Sequence, residues 1–173
     1  MTRAVVVMGV SGCGKSTLGN ALAARLGWRF VEGDTLHPAA NIAKMAAGVP
    51  LDDEDRWPFL ERVARVCAVV GQAGIVVSCS ALKRRYRDLI RGRAAGVIFV
   101  LPLLDGERLL QRLKGRGDHF MPVALLDSQL ATLEVPDPDE RAIVVDGSAS
   151  LEEQVERTVT ALKAQSALTI QAP

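Results

Sequence analysis

The sequence predicts an α/β fold built on a doubly wound, five-stranded parallel sheet, and three features of the chain lead to it. Short β-rich runs alternate with helical segments. The runs are continuously apolar rather than alternating, as strands buried on both faces are. A glycine-rich phosphate-binding loop joins the first run to a helical pattern, the context a P-loop requires. The expected strands are Ala4–Met8, Arg29–Glu32, Gly74–Cys79, Val97–Leu101 and Ala142–Asp146. Helical crossovers between parallel strands complete the architecture, and ligands of such folds lie beyond the carboxyl ends of the strands.

The loop reads Gly9-Val-Ser11-Gly12-Cys13-Gly14-Lys15-Ser16 and runs into Thr17 at the head of a helix. Its three glycines let the backbone turn tightly and aim N–H groups at an anion. Lys15 reaches the β- and γ-phosphates, Ser16 offers a hydroxyl to Mg²⁺, and the helix adds the positive end of its dipole. These residues imply a bound nucleoside triphosphate. Cys13 near a helix N-terminus has two readings, a reactive thiol or a small packed residue.

At 173 residues, with 49% hydrophobic residues, the chain suits one domain spanning 1–173 that buries its own core. A net charge of +1 without a basic block argues against a polyanion surface, so no nucleic-acid partner is expected. The isolated, odd-numbered cysteines Cys13, Cys67 and Cys79 suit a reducing cytoplasm rather than a disulfide framework. The first strand begins almost at the N-terminus, leaving no room for a signal peptide. No apolar run approaches the about 20 residues of a membrane span.

Strand two ends in Glu32-Gly-Asp34, two carboxylates at the end of a strand beside the phosphate loop. Glu32 is suited to a water of the Mg²⁺ shell, and Asp34 to orienting a substrate hydroxyl and accepting its proton. The alternative for Asp34 is a cap on the following helix. Next, His37, Asn41 and Lys44 share one face if helical. A helix with Trp57, Leu60, Val63, Cys67 and Val70 at helical spacing follows, with Pro58 in its first turn and Arg56 able to grip a carboxylate.

Strand three ends in Ser78-Cys-Ser80, with Lys83 and Arg87 four apart on the next helix. A long helical insertion, about 105 to 138, places Arg112 and Arg116 near Gly115 and Gly117, as a mobile cationic lid requires, with His119 beside them. Ser150-Leu-Glu-Glu153 reads as a capping box opening the last helix, and the weakly patterned stretch 165–173 is expected to fray.

Together these strings resemble the gluconokinase family of small P-loop kinases. The match comprises the loop Met8 to Ser16, Glu32-Gly-Asp-Thr-Leu-His-Pro38, Asn41 with Lys44-Met45, and Gly48-Val-Pro-Leu51. It continues with Asp55-Arg-Trp-Pro58, Ser78-Cys-Ser-Ala-Leu-Lys-Arg84 with Tyr86-Arg-Asp88, His119-Phe-Met-Pro122, Ser128-Gln129 and Leu133-Glu134. The resemblance implies a P-loop NTPase of nucleoside-monophosphate-kinase and shikimate-kinase-like topology with a helical lid. It also implies ATP as co-substrate, Mg²⁺, D-gluconate phosphorylated at its 6-hydroxyl, and a homodimer.

By the same resemblance Lys15, Asp34, Arg112 and Arg116 are the catalytic set, and Ser16 and Glu32 the metal set. Nucleotide contacts fall on residues 9 and 11–17, with Asp146 and Gly147 near the adenine. The substrate set is Asp34, His37, Lys44, Arg56, Ser80, Lys83, Arg87 and His119. Cys13 for the usual serine, Phe59 for a common tryptophan and Asp118 before His119 depart from the family pattern. Three competing readings stand beside it: a shikimate-kinase-like enzyme, a regulatory ATP-binding module without turnover, and a nucleic-acid 5′-hydroxyl kinase. The first lacks its expected glycine run after strand three, the second sits poorly with an intact Lys15, Ser16 and Asp34, and the third with near-neutral charge.

Overall fold

The computed structural model describes residues 3–69, 73–114 and 123–170. Strands β1 (Ala4–Met8), β2 (Arg29–Val31), β3 (Ile75–Cys79), β4 (Ile98–Leu103) and β5 (Ile143–Asp146) form one parallel sheet in the order β2-β3-β1-β4-β5. Val6 sits beside Val77 on one side and Phe99 on the other, and Met8 pairs with Cys79. The central strands therefore end level, and the loops that leave them converge on one rim of the sheet.

Alternate residues of the strands feed two cores. On one face Val5, Val7, Val76 and Val100 pack against Leu18 and Leu22 of α1 (Lys15–Leu26). Val155 and Val159 of the C-terminal helix close that side. On the other face Val6, Met8, Val77 and Phe99 meet Phe59, Leu60 and Val63 of the helix Asp53–Ala68 and Tyr86 and Ile90 of the helix Arg84–Arg93. Burying each such side chain contributes about 1.5–3 kcal/mol. This explains the continuous apolar runs of β1 and β3, both buried throughout.

The edge strand β5 differs from expectation. It alternates, with Ile143 and Val145 in the core and Val144 45% exposed, because a helix covers only one of its faces.

In chain order the remaining helices are α2 (Ala39–Ala46), α3 (Asp53–Ala68), α4 (Arg84–Arg93), α5 (Gly106–Lys114), α6 (Val123–Thr132) and α7 (Leu151–Ile170). Asp52 and Asp55 form a reciprocal capping box that starts α3 at Asp53, which puts Pro58 in the second turn rather than the first. The expected box at Ser150 and Glu153 opens α7. That helix continues to Ile170, so the stretch from Gln165 is helical instead of frayed as far as the described residues go. The Gln165 amide donates to Arg141 O at 2.9 Å and ties the last turns to the sheet.

A third apolar cluster joins Val10 and Cys13 to Leu82, Leu104, Leu109 of α5 and Leu126 of α6. It seats both lid helices directly on the phosphate loop.

Candidate active site

The phosphate loop is shaped by glycines in the left-handed region. Gly12 has φ +80° and Gly14 φ +99°, and Gly14 is the residue from which α1 starts. A side chain there would be strained, so only glycine presents the following amides to an anion without cost. Ser16 and Thr17 stand exposed in the first turn of α1. Lys15 folds back to donate to Val10 O at 2.9 Å. Cys13 is buried at 2% exposure, packed under the lid helices, which supports the small packed residue over the reactive thiol. Cys67 and Cys79 are also free, and burial pushes both thiols up to about 12.

The acid pair is held by β3. Ser78 Oγ accepts from Gly33 N at 2.9 Å and donates to Glu32 Oε1. A Cβ on Gly33 would lie 1.7 Å from Ser78 O, so this close crossing admits glycine alone. The chain then makes a short 3₁₀ turn, Gly33–Leu36, in which no side-chain cap forms. Asp34 is thus not a cap. It is exposed and lines a cleft together with Ser11, Lys15, His37, Arg56 and Ser80.

His37 is 7% exposed and stacks on Phe59, with ring centroids 3.7 Å apart. The Asn41 amide nitrogen donates to Asp55 O at 2.7 Å, a carbonyl that can only accept, and lies 3.2 Å from His37 Nδ1. Nδ1 is therefore the acceptor and the ring proton lies on Nε2. Burial lowers the His37 pKa, and the nearby Arg56 and Arg62 act in the same direction against Asp34. A neutral donor at the cleft wall results. Phe59, the departure from the family's tryptophan, is the surface on which this ring rests.

Lys44 corrects the sequence expectation. Its ammonium is spent on both oxygens of Asp55, at 2.8 and 2.7 Å, and it is not among the cleft-lining residues. The pair lowers the Asp55 pKa and raises that of Lys44, each through the hydrogen bond to the other. It ties α2 to the start of α3, where Arg56 sits. Arg56 donates to Leu51 O and reaches Ser80 Oγ at 3.4 Å.

Beyond Arg56 a second cavity opens, lined by Asp53, Lys83, Tyr86, Ser128 and Thr132. Lys83 donates to Asp53 at 2.9 Å, and Tyr86 and Arg85 bind the same carboxylate.

Arg87 is the clearest correction. It is 0% exposed and forms a bidentate pair with Glu140, both bonds 2.7 Å, so it does not face the cleft. The remaining guanidinium nitrogen donates to the carbonyls of Ala81, Leu82 and Glu134. Ala81 follows Ser80 in a left-handed conformation, φ +38°, which an alanine adopts only when its surroundings hold it there. Arg87 thus clamps the turn that presents Ser80 and joins it to the end of the lid. Sequence spacing set Arg87 four positions after Lys83 without revealing that the Arg87 side chain turns inward while Lys83 stays on the cavity wall. The pair, with Arg91 adding a third bond, pushes the Glu140 carboxyl down to about 2.

From the lid, Arg112 donates to Cys13 O at 3.3 Å and Gly147 O at 2.8 Å, joining the phosphate loop to the turn after β5. In that turn Asp146 accepts from Ser148 N and Oγ, which lowers its pKa. Arg116 and His119 lie outside the described residues. The sequence reading gave no role to Ser128 and Gln129, yet both line the main cleft. Uncharged residues on a lid helix carry no charge signal, and only their place in the motif text pointed to them.

Comparison with known proteins accords with this geometry. The sequence profile of shikimate kinase matches residues 11–163. A gluconokinase of Gluconobacter oxydans is 50% identical over 151 residues, 84% of this chain and 83% of that protein. The chain belongs to the gluconokinase family. Within that family, the thermosensitive gluconokinase of Escherichia coli is 44% identical over 165 residues, 91% of this chain and 88% of its own length. The crystal structure of a gluconokinase from Sinorhizobium meliloti superposes with a TM-score of 0.89 at 44% identity, covering 98% of this chain and 97% of that one. The gluconokinase resemblance carried by the strings after β2 and β3 and in the lid is thereby upheld, and the chain is a kinase acting on an alcohol.

Proposed function

We propose that this gluconokinase transfers the γ-phosphoryl group of ATP to the 6-hydroxyl of D-gluconate, giving ADP and 6-phospho-D-gluconate. The observation that carries the reading is the convergence of Lys15, Asp34 and Arg56 on one cleft at the ends of the central strands. Lys15 leaves Val10 O for the phosphates, Asp34 orients the acceptor hydroxyl and takes its proton, and Arg56 binds the sugar-acid carboxylate. Lys83, in the adjoining cavity, extends that cationic wall, while His37 and Ser80 offer neutral hydrogen bonds to hydroxyls. Arg112 is in reach of the phosphate loop from the lid. Gly147 and Asp146 form the turn near which the adenine would rest.

Ser16 and Glu32 would hold the Mg²⁺ that accompanies the triphosphate. A hydroxyl and a carboxylate are hard oxygen donors, and Mg²⁺ commonly takes one or two such ligands plus phosphates and water. When bound, the ion neutralises charge on the phosphates. The working form is proposed as a cytoplasmic homodimer, which size-exclusion chromatography with light scattering checks.

The reading is tested by ³¹P NMR of the product formed from Mg-ATP and gluconate. A phosphomonoester coupled to the C6 protons is expected, and an ester at another carbon would refute the assigned acceptor.

A further inference from the structure

One amide of the phosphate loop is already engaged. Ser11 N–H donates to Gln129 Oε1 at 2.7 Å, a contact across 118 positions of sequence that joins α6 to the loop. Lys15, the loop's cation, is likewise turned onto a loop carbonyl. Both contacts set neutral oxygens of the chain against donors of a loop whose N–H groups and lysine are built to meet an anion. Gln129 is half-buried and shares the cleft with Ser11, Lys15 and Asp34. Its neighbour Ser128 lines both the cleft and the second cavity. Leu126, one turn earlier, packs with Val10 and Cys13, so α6 is anchored to the loop by apolar contact as well.

We propose that Gln129 is a substrate-positioning residue that links the two substrates. Its Oε1 competes with a phosphate oxygen of ATP for the Ser11 N–H, and the carboxamide so released binds hydroxyls of the sugar acid. The competition follows from donor counting. Ser11 has one N–H, and an oxyanion makes a stronger hydrogen bond to it than a neutral amide oxygen does. Once displaced, a carboxamide that stays in the cleft has both an acceptor and two donors to satisfy, and a polyhydroxy substrate supplies partners of each kind.

The inference rests on gluconate as the acceptor for its second half only. The test uses Gln129→Ala and Gln129→Glu in the full chain. Binding of the non-hydrolysable analogue β,γ-imido-ATP is measured by calorimetry without sugar acid, and KM for gluconate by ADP release. For Gln129→Ala the analogue should bind about five-fold tighter, the equivalent of one neutral hydrogen bond no longer competing, while KM for gluconate rises about five-fold or more. Gln129→Glu keeps the acceptor but adds charge, so it should weaken both.

A residue that merely supports the scaffold would instead weaken both constants in Gln129→Ala and lower Tm, and that result overturns the proposal. So does a change below two-fold in both. Wild-type enzyme that turns over another acid but not gluconate would refute the acceptor assignment instead, leaving the analogue arm to judge the Ser11 competition alone.

Discussion

Replacing Arg87 with methionine separates a structural arginine from a substrate-binding one. Methionine keeps most of the volume and removes the charge. The wild-type pair is bidentate at 2.7 Å with partners 0% and 1% exposed, so the loss leaves Glu140 buried with Arg91, at 3.0 Å, as its remaining ionic partner. Breaking a buried pair from one side costs about 3–5 kcal/mol. The carboxyl shift from 4.5 to about 2, equivalent to about 3 kcal/mol, is an upper bound on the Arg87 share, because Arg91 and the Asp137 N–H also hold Glu140 ionised. At about 2–4 °C per kcal/mol for a chain of this size, Tm should fall by about 6–20 °C.

The pH dependence has a definite sign. A depressed carboxyl contributes its full stability above 4.5 and loses it as pH falls toward about 2, so the gap between wild type and variant should close across that window. Circular-dichroism melts between pH 2 and 7 read both effects. Adding Glu140→Leu to Arg87→Met should recover much of the loss. An unchanged Tm combined with a tenfold rise in KM for gluconate would refute the reasoning and return Arg87 to the pocket.

Other substitutions address the cleft directly. Asp34→Asn should lower kcat by about 10²–10⁴-fold while ATP-analogue affinity holds within two-fold, and unchanged turnover would remove Asp34 from the chemistry. Arg56→Ala should raise KM for gluconate about tenfold or more, the value of one charge-assisted hydrogen bond, with little change for ATP. Equal effects on both substrates would place Arg56 in the scaffold. Gly33→Ala forces a Cβ to within 1.7 Å of Ser78 O, so the crossing must open. A Tm loss equivalent to about 1–3 kcal/mol is expected, together with lower kcat as Asp34 shifts, and a neutral alanine would contradict the close approach.

The parts of this molecule that were legible in its sequence are those governed by local rules. Strands β1 and β3 read directly because two-sided burial writes a continuous apolar run, and the loop from Gly9 to Ser16 because its backbone demands glycine at fixed spacing. The capping box at Ser150 was visible for the same reason. What stayed hidden depends on partners distant in sequence. Nothing near Arg87 announces Glu140, 53 positions away, and nothing near Lys44 announces that Asp55 claims its charge. Gln129 meets Ser11 only after the lid helix has folded over the loop. Charge on a helix face says that a cation needs a partner; the fold decides whether that partner is substrate or protein.

The central claim is the acceptor. An enzyme-coupled ADP-release assay with Mg-ATP, run against D-gluconate, shikimate and other sugar acids, measures it most directly. The cleft of Lys15, Asp34 and Arg56 predicts turnover selective for gluconate, at least tenfold in kcat/KM over shikimate. Preference for shikimate, or ATP binding without ADP release on any acid, would contradict it.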